Sequence, residues 1–366
     1  MSIKLMIPGP VSVSEGVLHE MGAPVRAHYG AEWTAIYNET ASLLKRVFRT
    51  AGDVHILVGS GTAGVDAAIG SMTLPGEKII IGTNGFFGER MCHVARAYGL
   101  EIVDVETPLD RPLDPALFAK AIDQHPDAGA VAIVHLETST TIVNPVREIC
   151  NEARERNIPV IVDAVSSLAG MPLDMDDWGI DICVSASQKC LGAPPGLAPV
   201  AVSKNAWEVM KSKPNRGHGF YLNLETWRQY ADEWGEWHPF PVTMATNNVL
   251  ALRAGIRELL NAGIEATIER YISLALRFRE GVRQLGMEPY TSDDQLCPIV
   301  TAVYGPAGVP TSEIVQFLLD KHRIKIAGGL GAGLKDRVFR VGHMGAKIAE
   351  EDIDDVLNAL SDFMKT

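Results

Sequence analysis

Three short stretches carry residue types that could do chemistry. The first is Gly59-Ser60-Gly61-Thr62-Ala63-Gly64, which follows the apolar run Val54–Val58 and precedes Val65-Asp66-Ala67-Ala68. Glycines and hydroxyls between a strand and a helix expose backbone N–H groups at a helix N-terminus, where the peptide dipoles favour an anion. The spacing formally matches the dinucleotide fingerprint G-x-G-x-x-G. That fold also uses a carboxylate at the end of the next strand to hold a ribose. Here the next strand, Ile79–Ile81, ends in Gly82-Thr83-Asn84. On this stretch alone a cup for one phosphate, a dinucleotide site and a structural turn all stay open, and the cup is the simplest.

The second stretch is Ile161-Val162-Asp163-Ala164-Val165-Ser166-Ser167. Asp163 ends an apolar strand. Such a residue either caps a turn or is a buried carboxylate that holds a cation, for instance a protonated ring nitrogen. The third stretch runs from Asp181 to Gly196 and contains Ser187-Gln188-Lys189-Cys190. Lys189 follows an apolar strand and small residues, and glycine and proline then turn the chain back into Leu197–Val202. A lysine held in a cleft is partly desolvated, so its pKa falls and it can form Schiff bases. Together a phosphate cup, a carboxylate and a Schiff-base lysine are the parts that hold pyridoxal phosphate. Asp163 would keep the pyridine nitrogen protonated. Lys189 would hold the aldehyde and then act as the general base at the α-carbon.

The elements that must position these residues are legible from periodicity. Ala31–Val47 carries apolar residues at helical spacing, and Pro145–Asn157 reads as a helix. Ile79–Ile81, Ala130–His135 and Ile158–Val162 are short β-rich runs. Strands alternating with helices predict an α/β fold with a mainly parallel sheet covered on both faces. Sites in such sheets lie outside the carboxyl ends of the strands, where Ser60, Thr138 and Asp163 fall. From Ile264 the texture changes. Ile264, Ile268, Ile272, Ala275, Phe278, Val282 and Leu285 step by three or four before Gly286. Strands at Pro298–Tyr304 and Val338–Val341 and helices at Thr311–Lys321 and Ile353–Phe363 complete a smaller α+β C-terminal domain. The expected division is an N-terminal segment 1–18 packing with the small domain, a large domain 19–255 and a small domain 256–366, with the bend near Leu250–Gly263.

Composition narrows the function classes. The 366 residues exceed the ~250–300 at which a single core stops growing. Lys plus Arg is 33 against 45 Asp plus Glu, a net charge of −12, which repels phosphate backbones and argues against a nucleic-acid partner. The apolar runs are far shorter than the ~20 residues of a membrane span, and the N-terminus lacks a signal-peptide stretch. Cys92, Cys150, Cys183, Cys190 and Cys297 are odd in number and show no C-x-x-C, so neither disulfides nor zinc is expected. A cytoplasmic protein without metal or membrane association follows.

Beyond these local readings, nearly the whole chain resembles the class V aminotransferases, a group of fold type I pyridoxal-phosphate enzymes. It is most similar to the alanine/serine–glyoxylate and 2-aminoethylphosphonate–pyruvate aminotransferase branch. The carrying residues are Pro8-Gly9-Pro10, Gly59-Ser60-Gly61-Thr62, Asn84-Gly85-Phe86-Phe87-Gly88-Glu89-Arg90, His135-Leu136-Glu137-Thr138-Ser139-Thr140, Asp163-Ala164-Val165, Ser187-Gln188-Lys189 and Phe339-Arg340-Val341-Gly342-His343. Lys189 lies 26 positions after Asp163, the step this branch has. The resemblance implies that Ser60, Gly61, Thr62 and Gln188 hold the cofactor phosphate and that Phe87 stacks on the ring with Val165 on the opposite face. It further implies that the Thr138 hydroxyl meets the ring oxygen and that Arg340 grips the substrate carboxylate. Thr246 aligns with a residue lent to the neighbouring subunit's phosphate, which implies a homodimer with sites at the interface. His135, His343 and Glu137 read as structural, and Cys190 as a buried small apolar residue.

Two stretches depart from the pattern. Thr140-Thr141-Ile142 replaces the usual Thr-Gly, which predicts a changed loop near the ring. His28-Tyr29-Gly30 stands where many members have His-Arg. The implied activity is transfer of an amino group from a small donor, alanine or serine type, to glyoxylate or pyruvate. The alternative is 2-aminoethylphosphonate–pyruvate aminotransfer, with Arg26, His28 and Tyr29 as candidates for the phosphonate. Pyridoxamine–pyruvate aminotransfer ranks lower, because Ser60-Gly61-Thr62 is intact and Gly331 stands where that enzyme has a second arginine. A lyase or desulfurase lacks its histidine before the lysine, where Gln188 stands. A dehydrogenase lacks the ribose carboxylate, and a non-catalytic binding protein would need no Lys189.

Overall fold

Apolar runs with no polar interruption have two faces to bury, and such runs form the centre of a seven-stranded sheet whose edge strand, Glu101–Glu106, mixes polar and apolar residues. In spatial order its strands are Asp53–Val58, Leu197–Val202, Ile182–Val184, Val160–Asp163, Ala130–Val134, Lys78–Thr83 and Glu101–Glu106. Leu197–Val202 runs antiparallel to both neighbours, and the other adjacent pairs are parallel. This is the mainly parallel α/β sheet that the alternation predicts. The computed structural model describes residues 3–213, 219–331 and 333–366. Met1 and Ser2, which open the expected N-terminal segment, lie outside them.

All five residues of Ala130–Val134 are buried, as are all four of Val160–Asp163. Helices Ala31–Phe48, Gly61–Met72, Phe86–Ala97 and Val146–Glu155 pack against the strands. Register sets the site. Val134 pairs with Asp163, and Asp163 with Val184. Three neighbouring strands therefore end level, and the loops that follow them emerge side by side.

A three-stranded antiparallel sheet follows, in the order Val300–Tyr304, Val338–Gly342, Ala327–Gly328. Helices Ile264–Gln284, Thr311–His322 and Glu350–Phe363 surround it. The chain does not bend within Leu250–Ala262, where helix Thr246–Ala262 is unbroken; it turns at Gly263 (φ 85). Lys4–Leu5 pairs with Ile324–Lys325, and the Gly342 N–H donates to the Met6 carbonyl at 2.9 Å. The N-terminal residues thus run beside the C-terminal sheet. Among the described residues no helix is long and apolar enough to cross a membrane.

Candidate active site

The level strand ends open onto a cavity of about 330 Å³ whose lining includes Ser60, Gly61, Thr62, Asp163, Gln188 and Lys189. All three chemical stretches of the sequence thus meet in one place. Ser60 is extended (φ −83, ψ 167) and precedes helix Gly61–Met72, yet its hydroxyl makes no capping bond to that helix. The hydroxyl and the first-turn N–H groups of a helix left in this way form an anion cup. Gly61 is required for close packing, since a Cβ there would stand 2.5 Å from Val165 Cγ2. Gln188 Oε1 is buried without a hydrogen-bond partner among the described residues. A buried polar atom left so is a place for a ligand's donor or a water.

Asp163 ends its strand, and its Oδ1 accepts the Val165 N–H at 2.8 Å. Burial pushes its carboxyl up to about 6; the Val165 bond, Lys189 and Arg90 oppose that rise, and Glu137 adds to it. A carboxylate so placed gains most from a cation brought into the cavity. Lys189 Nζ donates to the Pro8 carbonyl. Burial lowers this amine to about 8, while the nearby Cys190 and Asp163 push it up and Arg340 pushes it down. Gly9 makes that approach possible. Its φ is +92, and a Cβ would stand 2.6 Å from Lys189 Cδ, so an L side chain there would be strained in its backbone and would push Lys189 out of this position.

Phe87 and Val165 both line the cavity. Phe87 sits in the first turn of helix Phe86–Ala97, whose N-cap is Gly85 and has no side chain to offer. Glu137 supplies the cap from across the fold. Its Oε2 accepts the Phe87 and Gly88 N–H groups at 2.9 and 3.1 Å, and its Oε1 accepts Ser139 N–H and Oγ–H at 3.0 and 2.6 Å. Glu137 is fully buried, and burial raises its carboxyl although these four donors oppose the rise. It is structural, as read, and what it holds is the aromatic at the site.

Arg340 lies off the cavity lining, in the middle of strand Val338–Gly342. Nη1 donates to the Thr138 carbonyl at 2.7 Å and Nε to the Gly328 carbonyl at 3.0 Å. It is buried and forms no ion pair with a carboxylate among the described residues. Burial lowers its guanidinium to about 10, against the pull of Glu137. Thr138 is buried too, and it meets Arg340 rather than the cavity through its carbonyl. Thr246 opens helix Thr246–Ala262, bonds Asn247 Oδ1 at 3.2 Å and is away from this chain's cavity.

Other residues flagged by the sequence sort clearly. Arg26 pairs with Glu32 at 2.5 Å, His28 meets His238 at 3.1 Å, and Tyr29 is half exposed. None of the three reaches this chain's cavity. Cys190 is buried and burial pushes its thiol up to about 12, so it is no nucleophile. His135 and His343 are buried, and burial lowers them to about 4 and 3. Thr141, in the loop expected to differ, takes φ 60, a left-handed conformation that glycine adopts more readily. Sequence reasoning quoted Arg90 and Pro8 only inside motifs and gave neither a role. Phe87, Arg90 and Met91 all line the cavity, a spacing of three and four that puts them on one helical face.

The family profile described as aminotransferase class-V matches residues 13–356. The chain belongs to that family. This aminotransferase is 37% identical to an uncharacterized aminotransferase of Methanocaldococcus jannaschii, over 93% of this chain and 87% of that one. It is 30% identical to an alanine–glyoxylate aminotransferase of Drosophila melanogaster, over 99% and 92%. The crystal structure of a ureidoglycine–glyoxylate aminotransferase from Bacillus subtilis superposes with a TM-score of 0.95 at 29% identity, covering 100% of this chain and 93% of that one. The protein is therefore a fold type I, pyridoxal-phosphate-dependent aminotransferase of the alanine/ureidoglycine–glyoxylate branch. It works on an amino donor and a 2-oxo acid acceptor.

Proposed function

We propose that this aminotransferase moves an amino group from a small donor of alanine or serine type to glyoxylate or pyruvate, with Lys189 as the residue that binds the cofactor covalently. The observation that carries this reading is the meeting of Lys189, Asp163 and the Ser60–Thr62 helix start in one cavity. Pyridoxal phosphate supplies the electron sink that lets the α-proton leave. Ser60, Gly61, Thr62 and Gln188 would hold its phosphate, Asp163 would answer its ring nitrogen, Phe87 and Val165 would flank the ring, and Thr138, whose carbonyl accepts from Arg340, would offer its hydroxyl to the ring oxygen. Lys189 Nζ would take the proton from the donor's α-carbon and pass it on within the same half-reaction, and would carry a proton the opposite way, to the acceptor's α-carbon, in the second. An amine near pKa 8 can do both at neutral pH.

Arg340 binds the carboxylate common to donor and acceptor. It is a buried cation that forms no ion pair with a carboxylate among the described residues, and hydrogen bonds to two carbonyls use only two of its five donors. A carboxylate-bearing substrate completes it. Thr246 serves a neighbouring subunit, so the working unit is a homodimer. Mixing Lys189→Ala with Thr246→Ala subunits restores activity if sites are shared; no rescue in proven heterodimers removes that part of the reading.

The test is the absorption spectrum of the purified protein before and after L-alanine, L-serine or 2-aminoethylphosphonate. A yellow protein that one of the first two bleaches supports the reading and names the donor. Bleaching by 2-aminoethylphosphonate alone replaces the donor assignment, and no yellow form with added pyridoxal phosphate overturns the reading.

A further inference from the structure

Arg90 has no role in the chemistry described so far, yet it stands in the cavity. It is one of three charged residues on the lining, with Asp163 and Lys189. Its guanidinium carbon lies 4.8 Å from the Phe87 ring centroid and 4.9 Å from that of Phe86. Its Nη1 donates to Thr62 Oγ1 at 3.3 Å. Among the described residues no carboxylate forms an ion pair with it. Two aromatic rings set edge to face thus hold a cation against the hydroxyl that closes the cup.

The charge balance of the cup asks for such a group. A phosphate monoester carries about −1.5 to −2 near pH 7, and a helix N-terminus offers only about +0.5. Ser60, Gly61, Thr62 and Gln188 are neutral. Lys189 is committed to the other end of the cofactor, and Asp163 adds a negative charge. A hydroxyl has one proton and two lone pairs. Thr62, accepting from Arg90, is left with its own proton to give into the cup. A guanidinium also suits phosphate oxygens better than any other side chain, because its donors form a planar fork.

We propose that Arg90 is the counter-charge of the phosphate site, acting on the cofactor's phosphate directly and through Thr62 while the Phe86 and Phe87 rings fix its direction. This rests on the cofactor reading above. It makes Arg90 a determinant of affinity for the phosphorylated cofactor and leaves affinity for the bare ring alone.

The test compares binding of pyridoxal 5′-phosphate and of phosphate-free pyridoxal to cofactor-free protein, by equilibrium dialysis, for wild type, Arg90→Met and Arg90→Lys. In the expected result Arg90→Met loses at least about tenfold in affinity for the phosphorylated form and little for pyridoxal. Arg90→Lys recovers part of the loss. Inorganic phosphate should compete with the cofactor in wild type and much less in Arg90→Met. Equal losses for both forms, or none for either, overturn the proposal, since Arg90 would then only pack on Phe87. Arg90→Lys keeps the test open if Arg90→Met folds poorly: a loss in the lysine variant as large for pyridoxal as for its phosphate also overturns it. Wild-type protein that binds no pyridoxal phosphate would sink the cofactor reading itself, and this proposal with it.

Discussion

Lys189 Nζ donates a hydrogen bond to the main-chain carbonyl of Pro8, 181 residues earlier in the sequence. The N-terminal segment therefore holds the amine on which the account turns, and Gly9 leaves the space for it. Burial lowers that amine from 10.5 to about 8. The ammonium form predominates below this value and the nucleophilic amine above it. Attachment of pyridoxal phosphate to the cofactor-free protein should accelerate with pH and level off above about pH 8. A rate that climbs on towards pH 10, as for an ordinary lysine at about 10.4, contradicts this.

Asp163 carries a cost that only a bound cation removes. Its folded pKa of about 6 exceeds the ordinary 3.8, so the folded state binds a proton more tightly than the unfolded one. That stabilisation is complete below 3.8 and is lost as pH rises through 6. In cofactor-free protein at pH 7, Asp163→Asn should therefore raise stability by up to about 3 kcal/mol while abolishing transamination. Asparagine keeps an oxygen for the Val165 N–H. Urea melts at pH 7 and pH 4 check the sign: the gain should shrink to about 0.5 kcal/mol at pH 4. A destabilised variant at pH 7 would show that the carboxylate is already paired.

Arg340→Lys keeps a cation but loses the planar fork. We expect kcat/KM for the 2-oxo acid to fall by the equivalent of about 1.5–3 kcal/mol, the worth of a hydrogen bond to a charged group, with KM carrying much of it. The spectrum of the bound cofactor should not change. Steady-state kinetics decide; an unaltered kcat/KM means the substrate carboxylate binds elsewhere.

Thr141 is a β-branched residue at φ 60 with a buried Oγ1 that has no hydrogen-bond partner among the described residues. Strain of this kind amounts to about 1–3 kcal/mol, and glycine's extra backbone entropy offsets roughly 1 of it. Thr141→Gly should raise the denaturant midpoint, by about 1 kcal/mol in stability. A lower midpoint would mean that packing of the threonine methyl outweighs the strain.

The sheet and the three chemical stretches were legible because each is local. Strand Leu197–Val202 is an apolar run bounded by Gly196 and Ser203; Asp163 ends another such run, and Lys189 follows a third, Ile182–Val184, after four small or polar residues. Helix Glu350–Phe363 starts three residues before the expected Ile353, because Glu350, Glu351 and Asp352 favour a helix N-terminus through charge rather than apolar spacing. Helix Phe86–Ala97 was not legible. Gly85-Phe86-Phe87-Gly88 looks like a loop, and its cap, Glu137, bonds the Phe87 N–H from 50 positions away. Arg340 meets Thr138 across 202 positions. Contacts between distant segments leave no local pattern, and Arg90 went unread because its helix did.

The most direct test of the central claim is reduction of the cofactor-loaded protein with borohydride, followed by peptide mapping by mass spectrometry. The account predicts one pyridoxyl-phosphate adduct, on Lys189, and none in the Lys189→Ala variant. An adduct on another lysine, or loaded wild-type protein with no adduct, would contradict it.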